Sequence, residues 1–399
     1  MDTSAKYTER KIKKQFDKLI KVYPVIAIVG ARQAGKTTFL KEQAKKFKSN
    51  YLLFDDPDIR ELFDEDIKKF EAQNIEGNEL SVLDEVQYCK EAGRKLKYLA
   101  DTNRKLWITS SSEILLSKEV LSYLVGRVSI IKLYPFSIEE FLDLKKLKEF
   151  SKNTLKRALW EHLTFGGYPK VTLIEDIDLK KTILKDLYDT MILKDVARTF
   201  SIDDLSSLEK CLRYLAINTG NLISYDSLSK DVNISFQTLK KYLGAMEKSY
   251  LLYQVQPFFK NKLKEIIKQP KIYFIDTGLR NFIAKSFNQE PEGNLFENYI
   301  FTEILKMGFS PKYWRTKTKM EVDFVIEKES VIIPIEVKIN AKTDKVERNI
   351  RTFIEEYKPK TAIIVSYEGE KSEIDIDGCK VIFTDLIGMK EILSKLNLV

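Results

Sequence analysis

The run V-I-A-I-V-G-A-R-Q-A-G-K-T-T, Val25 to Thr38, constrains the chain more than any other stretch. Its apolar start, Val25 to Val29, reads as a buried strand, and the break at Gly30 opens a loop whose second glycine, Gly35, stands directly before Lys36, Thr37 and Thr38. Glycine at both ends lets the backbone curl, so that N–H groups along Gly30, Ala31, Arg32, Gln33, Ala34 and Gly35 can converge on phosphate oxygens. Lys36 can then reach the β- and γ-phosphates of a nucleotide and Thr37 can hold Mg²⁺. The helix predicted over Thr37 to Phe47 adds the positive end of its dipole.

A matching element lies downstream. L-S-V-L-D-E-V-Q, Leu80 to Gln87, is an apolar strand that releases Asp84 and Glu85 at its C-terminal end, where open α/β sheets bind ligands. Asp84 is expected to orient Mg²⁺ through its water shell and Glu85 to polarise the attacking water. Further strands are predicted at Tyr51–Phe54, Lys105–Thr109 and Val128–Leu133. The hydroxyls of Ser110, Ser111 and Ser112 either lie beside the phosphate loop or form a plain turn. Arg10 to Val22 reads as a basic amphipathic helix packed on this core.

Composition narrows the chemistry. With His162 as the one histidine, Ser-His and Cys-His nucleophilic systems and multi-histidine metal sites are nearly excluded. Cys89, Cys211 and Cys379 form no C-x-x-C pair, which fits a reducing cytosol and leaves any metal to oxygen ligands. No apolar run approaches the ~20 residues of a membrane span, and Met1–Arg10 is too polar for a signal peptide, so a cytoplasmic protein without membrane contact is expected. The net charge of +8 is compatible with nucleic acid but does not demand it.

Taken in order, G-A-R-Q-A-G-K-T-T, L-D-E-V-Q, T-S-S-S, G-R (Gly126-Arg127) and P-F-S-I-E-E-F resemble the prokaryotic AAA+-type P-loop ATPase family, whose core is commonly joined to an uncharacterised C-terminal domain. F-G-G-Y-P at Phe165–Pro169 and L-K-D-V-A at Leu193–Ala197 extend the resemblance. It implies a sheet with an additional strand, a homo-oligomer, and Arg127 as an arginine finger or γ-phosphate sensor, although a surface arginine at a turn would read the same.

Between residues 144 and 205 a helical lid is expected, with a continuous helix from Leu144 through His162 and with His162 at the surface or in the lid. Over 206–270 the pattern suggests a winged helix: Ser224 and Ser235 are good N-caps, and Leu239, Leu243 and Met246 recur at helical spacing. Gln237, Lys240 and Lys241 fall on the other face, able to touch DNA. Strands at Tyr250–Val255 and Lys271–Ile275 would form the wing.

The last stretch, 271–399, carries a second constellation. Glu297 shares a helical side with Ile300, Phe301 and Ile304, Asp323 lies in E-V-D-F-V-I, and Glu336 and Lys338 alternate with apolar residues in I-P-I-E-V-K-I. Two carboxylates and a lysine on adjacent strands suit an oxygen-ligated Mg²⁺ or Mn²⁺, with a cation for developing phosphate charge. This resembles the PD-(D/E)XK nucleases, implying Asp323 and Glu336 as metal ligands, Glu297 as assistant and Lys338 as the group that orients water or stabilises the transition state. E-V-D departs from the Pro-Asp of that pattern. The expectation is an α/β multidomain chain: a P-loop AAA+-like sheet core over 1–143, a helical lid or linker, a winged helix, and an αβ nuclease-like domain. Such a chain would process DNA with ATP, or would act as a regulatory switch whose last domain binds nucleic acid or protein without cutting.

Overall fold

The computed structural model describes residues 7–110, 120–147, 151–260, 265, 268–288, 290–343 and 345–395; the expectations for Ser111 and Ser112 lie outside these. The described residues form two compact units, one drawn from 1–150, 167–202 and 248–250, the other from 151–166, 203–247 and 251–399.

In the first unit five parallel strands, β1 (Val25–Val29), β2 (Ser49–Leu53), β3 (Leu80–Asp84), β4 (Leu106–Ser110) and β5 (Val128–Lys132), pair in the order β2-β3-β4-β1-β5. The additional strand is thus β4, which separates β1 from β3. β1, β3 and β4 are buried along their whole length, as expected where a parallel sheet is covered on both faces. Phe16, on the helix Lys13–Leu19, packs edge-on against Phe39 and Trp107 at 5.1 and 4.7 Å, so the amphipathic N-terminal helix closes one face. After β5, Ser137 and Glu140 form a capping box on the helix Ile138–Leu144, each satisfying the other's free N–H.

The expected continuous helix from Leu144 is broken. Turn residues follow Leu144, and a new helix, Lys152–Phe165, starts where the Ser151 side chain accepts from the Thr154 N–H. The stretch 144–205 runs across both units: Lys152–Phe165 packs on the helix Thr277–Ala284, with Asn281 Nδ2 donating to the Thr164 carbonyl at 2.9 Å. His162 is buried rather than superficial, its Nδ1 2.6 Å from the Tyr299 hydroxyl.

The second unit continues through helices Leu205–Ile217, Tyr225–Val232 and Phe236–Lys248 to an antiparallel pair, β6 (Leu252–Val255) and β7 (Lys271–Phe274). A mixed six-stranded sheet follows, built from β8 (Lys312–Arg315), β9 (Glu321–Lys328), β10 (Val331–Asn340), β11 (Thr361–Glu368), β12 (Ser372–Ile376) and β13 (Cys379–Thr384) in the order β12-β13-β11-β10-β9-β8. The helix Gly293–Lys306 precedes β8, and the helix Arg348–Tyr357 makes the crossover between the parallel neighbours β10 and β11. All three cysteines are buried, and burial pushes the Cys89 and Cys211 thiols up to about 12, which leaves no reactive thiolate.

A Cβ on Gly278 would meet the Phe165 carbonyl oxygen at 2.0 Å, whereas one on Gly244, also helical, meets nothing within 4 Å. Gly278→Ala is therefore expected to lower the denaturant midpoint by a destabilisation of about 1–3 kcal/mol. Gly244→Ala should be neutral or stabilising by up to about 1 kcal/mol; equal urea midpoints for the two variants would contradict this packing.

Candidate functional site

β1 ends at Val29 beside Ser110 of β4 and Lys132 of β5, so the loop that follows emerges at the C-terminal edge of the sheet, as do Asp84 and Glu85 from β3. Gly30 sits at φ +153°, and a Cβ there would fall 2.0 Å from the Leu133 carbonyl oxygen. Only glycine fits this turn. Ala31 and Ala34 are fully buried, Gln33 holds a left-handed conformation, and Gly35 begins the helix Lys36–Ala44 with no side-chain cap on its first turn. Thr38 is exposed in that turn.

Lys36 curls back on the loop, its Nζ donating to the carbonyls of Gly30 and Ala31 at 2.9 and 3.0 Å. Burial pulls its pKa below the ordinary lysine value, opposed by the charge of Glu85. Asp84 accepts from three hydroxyls: Thr37 at 2.9 Å, Tyr51 and Thr109. Thr109 Oγ1 also accepts the Glu85 N–H at 3.1 Å, and Glu85 has the left-handed φ of +59°. A left-handed non-glycine residue directly after the strand is the kind of backbone exception found at reactive positions. The donor set fits Mg²⁺ with a nucleotide phosphate: a hydroxyl and a carboxylate already in contact, beside an uncapped helix start.

Two parts of this site were missed by sequence reasoning. Arg10, read only as the start of an amphipathic helix, is buried and braces the loop: Nη1 donates to the Ala34 carbonyl at 2.8 Å, Nη2 to the Tyr134 carbonyl at 2.5 Å, and Nε to Glu140 at 3.1 Å. Arg32 is gripped in a fork by Asp195, Nε to Oδ2 at 3.0 Å and Nη2 to Oδ1 at 2.9 Å. Asp195 lies on the π-helix Met191–Arg198, whose strain-prone geometry often marks function. Burial lifts the Asp195 pKa while Arg32 lowers it, with a net rise. L-K-D-V-A was the signal that could have found this partner.

Arg127 is placed elsewhere. Its carbonyl accepts from the Val25 N–H at 3.1 Å, at the N-terminal edge of β1, and its Nε pairs with Asp101. A five-residue strand separates it from the loop, roughly 15 Å at the usual rise. Arg127 is thus not brought to the phosphate loop of its own chain, because in a parallel sheet the two edges do not meet.

In the second unit, β9 and β10 bring Asp323 and Glu336 together, with the Val337 N–H donating to Asp323 Oδ2 at 2.8 Å. Lys338 Nζ lies 2.9 Å from Glu336 Oε1 and 3.0 Å from Glu347. Asn349 Nδ2 donates to Glu336 Oε1 at 2.9 Å, yet Glu336 Oε2 and Asn349 Oδ1 are buried with no donor among the described residues. Burial, then the charges of Glu336 and Glu297, push Asp323 well above the usual carboxylate range. Burial raises Glu336 as well.

Glu297 joins through residues that sequence reasoning missed. Its Oε1 lies 3.1 Å from Lys271 Nζ and accepts from the Tyr273 hydroxyl, and Lys271 also pairs with Glu321. Lys271 is buried, but Glu297, Asp323 and Glu321 hold it charged by raising its pKa. The signal was a lysine at the head of the apolar strand K-I-Y-F. Among the described residues no three His, Cys, Asp or Glu side chains form a ready metal cage. The two orphan oxygens nevertheless suit a hard cation at the Glu336 side.

The sheet order, the glycine-framed loop and the carboxylate of β3 against Thr37 define a P-loop ATPase-like protein. The family described as "AAA domain" matches residues 22–142, while 156–290 and 292–386 match two domains of unknown function, DUF8612 and DUF4143. Uncharacterized protein MJ1544 of Methanocaldococcus jannaschii is 32% identical over 358 residues, covering 84% of this chain and 79% of that protein. The chain belongs to the family of that protein. An uncharacterized protein of Haemophilus influenzae is 26% identical, with 89% of this chain and 92% of that one covered. A Walker-type ATPase of Pyrococcus abyssi, PABY2304, aligns at a TM-score of 0.49 and 16% identity over 70% of this chain and 97% of its own. No helix among the described residues is long and apolar enough to cross a membrane.

Lys36→Ala and Asp84→Ala are expected to lower ATP turnover roughly 10²-fold or more with the far-UV circular dichroism unchanged. Turnover equal to wild type in either variant would refute this site.

Proposed function

We propose that the first unit hydrolyses ATP and that the second cleaves phosphodiesters in nucleic acid, DNA first, with Mg²⁺ or Mn²⁺. Lys36 and the loop N–H groups from Gly30 to Thr38 bind the phosphates, Thr37 and Asp84 hold the Mg²⁺, and Glu85 orients the attacking water and takes its proton. The ion neutralises phosphate charge when bound. Arg127 serves as a finger toward a neighbouring copy in a homo-oligomer, its edge of the sheet lying opposite its own loop.

At the second site Asp323 and Glu336 would hold the metal, Glu297 keeps the Lys271 ammonium beside them, and Lys338 stabilises charge on the scissile phosphate. The observation that carries this reading is Glu336 Oε2, a buried carboxylate oxygen with no donor next to a carboxyl group of strongly raised pKa. Such a group is costly to bury and a cation would offset it. Helices Tyr225–Val232 and Phe236–Lys248 with β6 and β7 would serve as a winged helix, exposed Gln237, Lys240 and Lys241 contacting DNA. A second reading, an ATP-driven switch without cleavage, is favoured by Lys271, which already neutralises part of the carboxylate cluster.

Incubation of the protein with single- and double-stranded DNA and RNA under Mn²⁺, with and without ATP, decides between them. The first reading expects cleavage that Asp323→Ala abolishes and Lys36→Ala leaves intact without ATP. No cleavage of any substrate by the wild type supports the switch.

Thermal stability tests the charge cluster without activity. Because the folded pKa of Asp323 is raised, its ionisation costs stability as pH climbs from the ordinary carboxylate value through the folded one. Asp323→Asn keeps an acceptor for the Val337 N–H and removes that cost. It should raise the melting temperature by about 2 °C or more at pH 8, with the gain vanishing below about pH 4. A gain that grows toward acid pH would contradict the raised value.

A further inference from the structure

The second unit contains a cavity of about 500 Å³ at the C-terminal ends of β10 and β11, a size typical of small-ligand pockets. Its wall holds two aromatic rings, Trp160 and Tyr367, two cations, Lys156 and Arg157, and the amide of Asn340 opposite Glu368. The rings are set by neighbours, Trp160 edge-on to Phe165 at 5.9 Å and Tyr367 edge-on to Phe296 at 5.4 Å. Lys156 pairs with Glu368 across the opening, while Arg157 is exposed. Trp160 Nε1 is itself buried with no acceptor among the described residues, so the ring offers the cavity its apolar surface rather than its N–H.

The position ties this cavity to the neighbouring site. Asn340 follows Lys338 by two residues on β10, and across the parallel register Asn340 stands beside Glu368 as Lys338 stands beside Ser366. Side chains two apart share a face and are separated by about 7 Å. Asn340 and Glu368 therefore lie one step along the strands on the face of the lysine assigned to the scissile phosphate, a distance that a single nucleotide unit can span, while Ile339 and Tyr367 line the cavity from the opposite face at the strand ends.

We propose that this cavity receives an unpaired nucleobase of a single-stranded nucleic acid whose adjacent phosphate lies at Lys338. The inference rests on the phosphodiester reading of that site. Two rings, an amide and a carboxylate match a base, which offers π faces and both donors and acceptors on its edge. Glu368 makes a plain anion site a poor fit, because the carboxylate would repel phosphate in the same space. Lys156 and Arg157 hold the flanking backbone charge.

The test is fluorescence anisotropy with the full chain, in EDTA so that nothing is cut. A short labelled oligothymidylate is compared with an abasic oligonucleotide of equal length and charge. Trp160→Leu and Tyr367→Leu should each weaken binding of the oligothymidylate about tenfold and of the abasic strand less than about twofold, with ATP turnover unchanged. Arg157→Gln, on an exposed side chain, should weaken both strands alike and guards against misfolding of the aromatic variants. The inference is overturned if the wild type binds the abasic strand as tightly as the oligothymidylate, if it binds neither, or if both aromatic variants stay within about twofold of wild type. Cleavage is scored separately: loss of oligothymidylate affinity in the aromatic variants, together with no cut by the wild type under Mn²⁺, keeps the base cavity and discards the phosphodiester reading.

Discussion

The first unit depends on one buried guanidinium. Arg10 reaches the phosphate loop at Ala34, the end of β5 through Tyr134 and the capping carboxylate Glu140 at once. Glu140 in turn accepts the Lys11 and Ser137 N–H groups. A loop with two glycines would otherwise lose much conformational entropy on ordering, and these bonds hold it through a backbone carbonyl, leaving its N–H groups uninvolved. Removing one partner of such a buried pair typically costs 3–5 kcal/mol, because the other charge is left without compensation. The loop geometry is therefore supported by residues far from it in sequence.

The two sites handle carboxylate charge in opposite ways. Around Asp84 the partners are neutral hydroxyls from Thr37, Tyr51 and Thr109, which stabilise the anion without cancelling its field. Around Asp323 the partners are charged, a buried lysine against several carboxylates. The first arrangement leaves a cation-attracting centre open. The second balances most of its charge internally, with the imbalance concentrated at Glu336 and Asp323.

What the sequence made legible was local. Apolar runs and glycine spacing placed β1, β3 and the loop, and alternation placed Asp323, Glu336 and Lys338 on paired strands. Those signals report which face of an element is buried, not which distant residue meets it. Arg32 and Asp195 are 163 positions apart, and no periodicity encodes such a pairing. The same limit explains Lys271, whose strand looked ordinary until Glu297 and Glu321 arrived from other elements. At His162 the lack of a second histidine spoke against a ligand role but said nothing of burial, and the helix turns that residue onto Tyr299 in the interior. Arg127 lies far from its own loop for a topological reason: a residue before a parallel strand sits at the edge opposite the one after it.

Thr109 gives the ATPase-like site a mechanical property. Its single hydroxyl accepts the Glu85 amide and passes its own proton to Asp84, so the two acids are joined by a relay of two hydrogen bonds that polarise each other in one direction. One side chain therefore ties the carboxylate that ends β3 to the left-handed backbone of the residue after it, so a change at either is felt at the other.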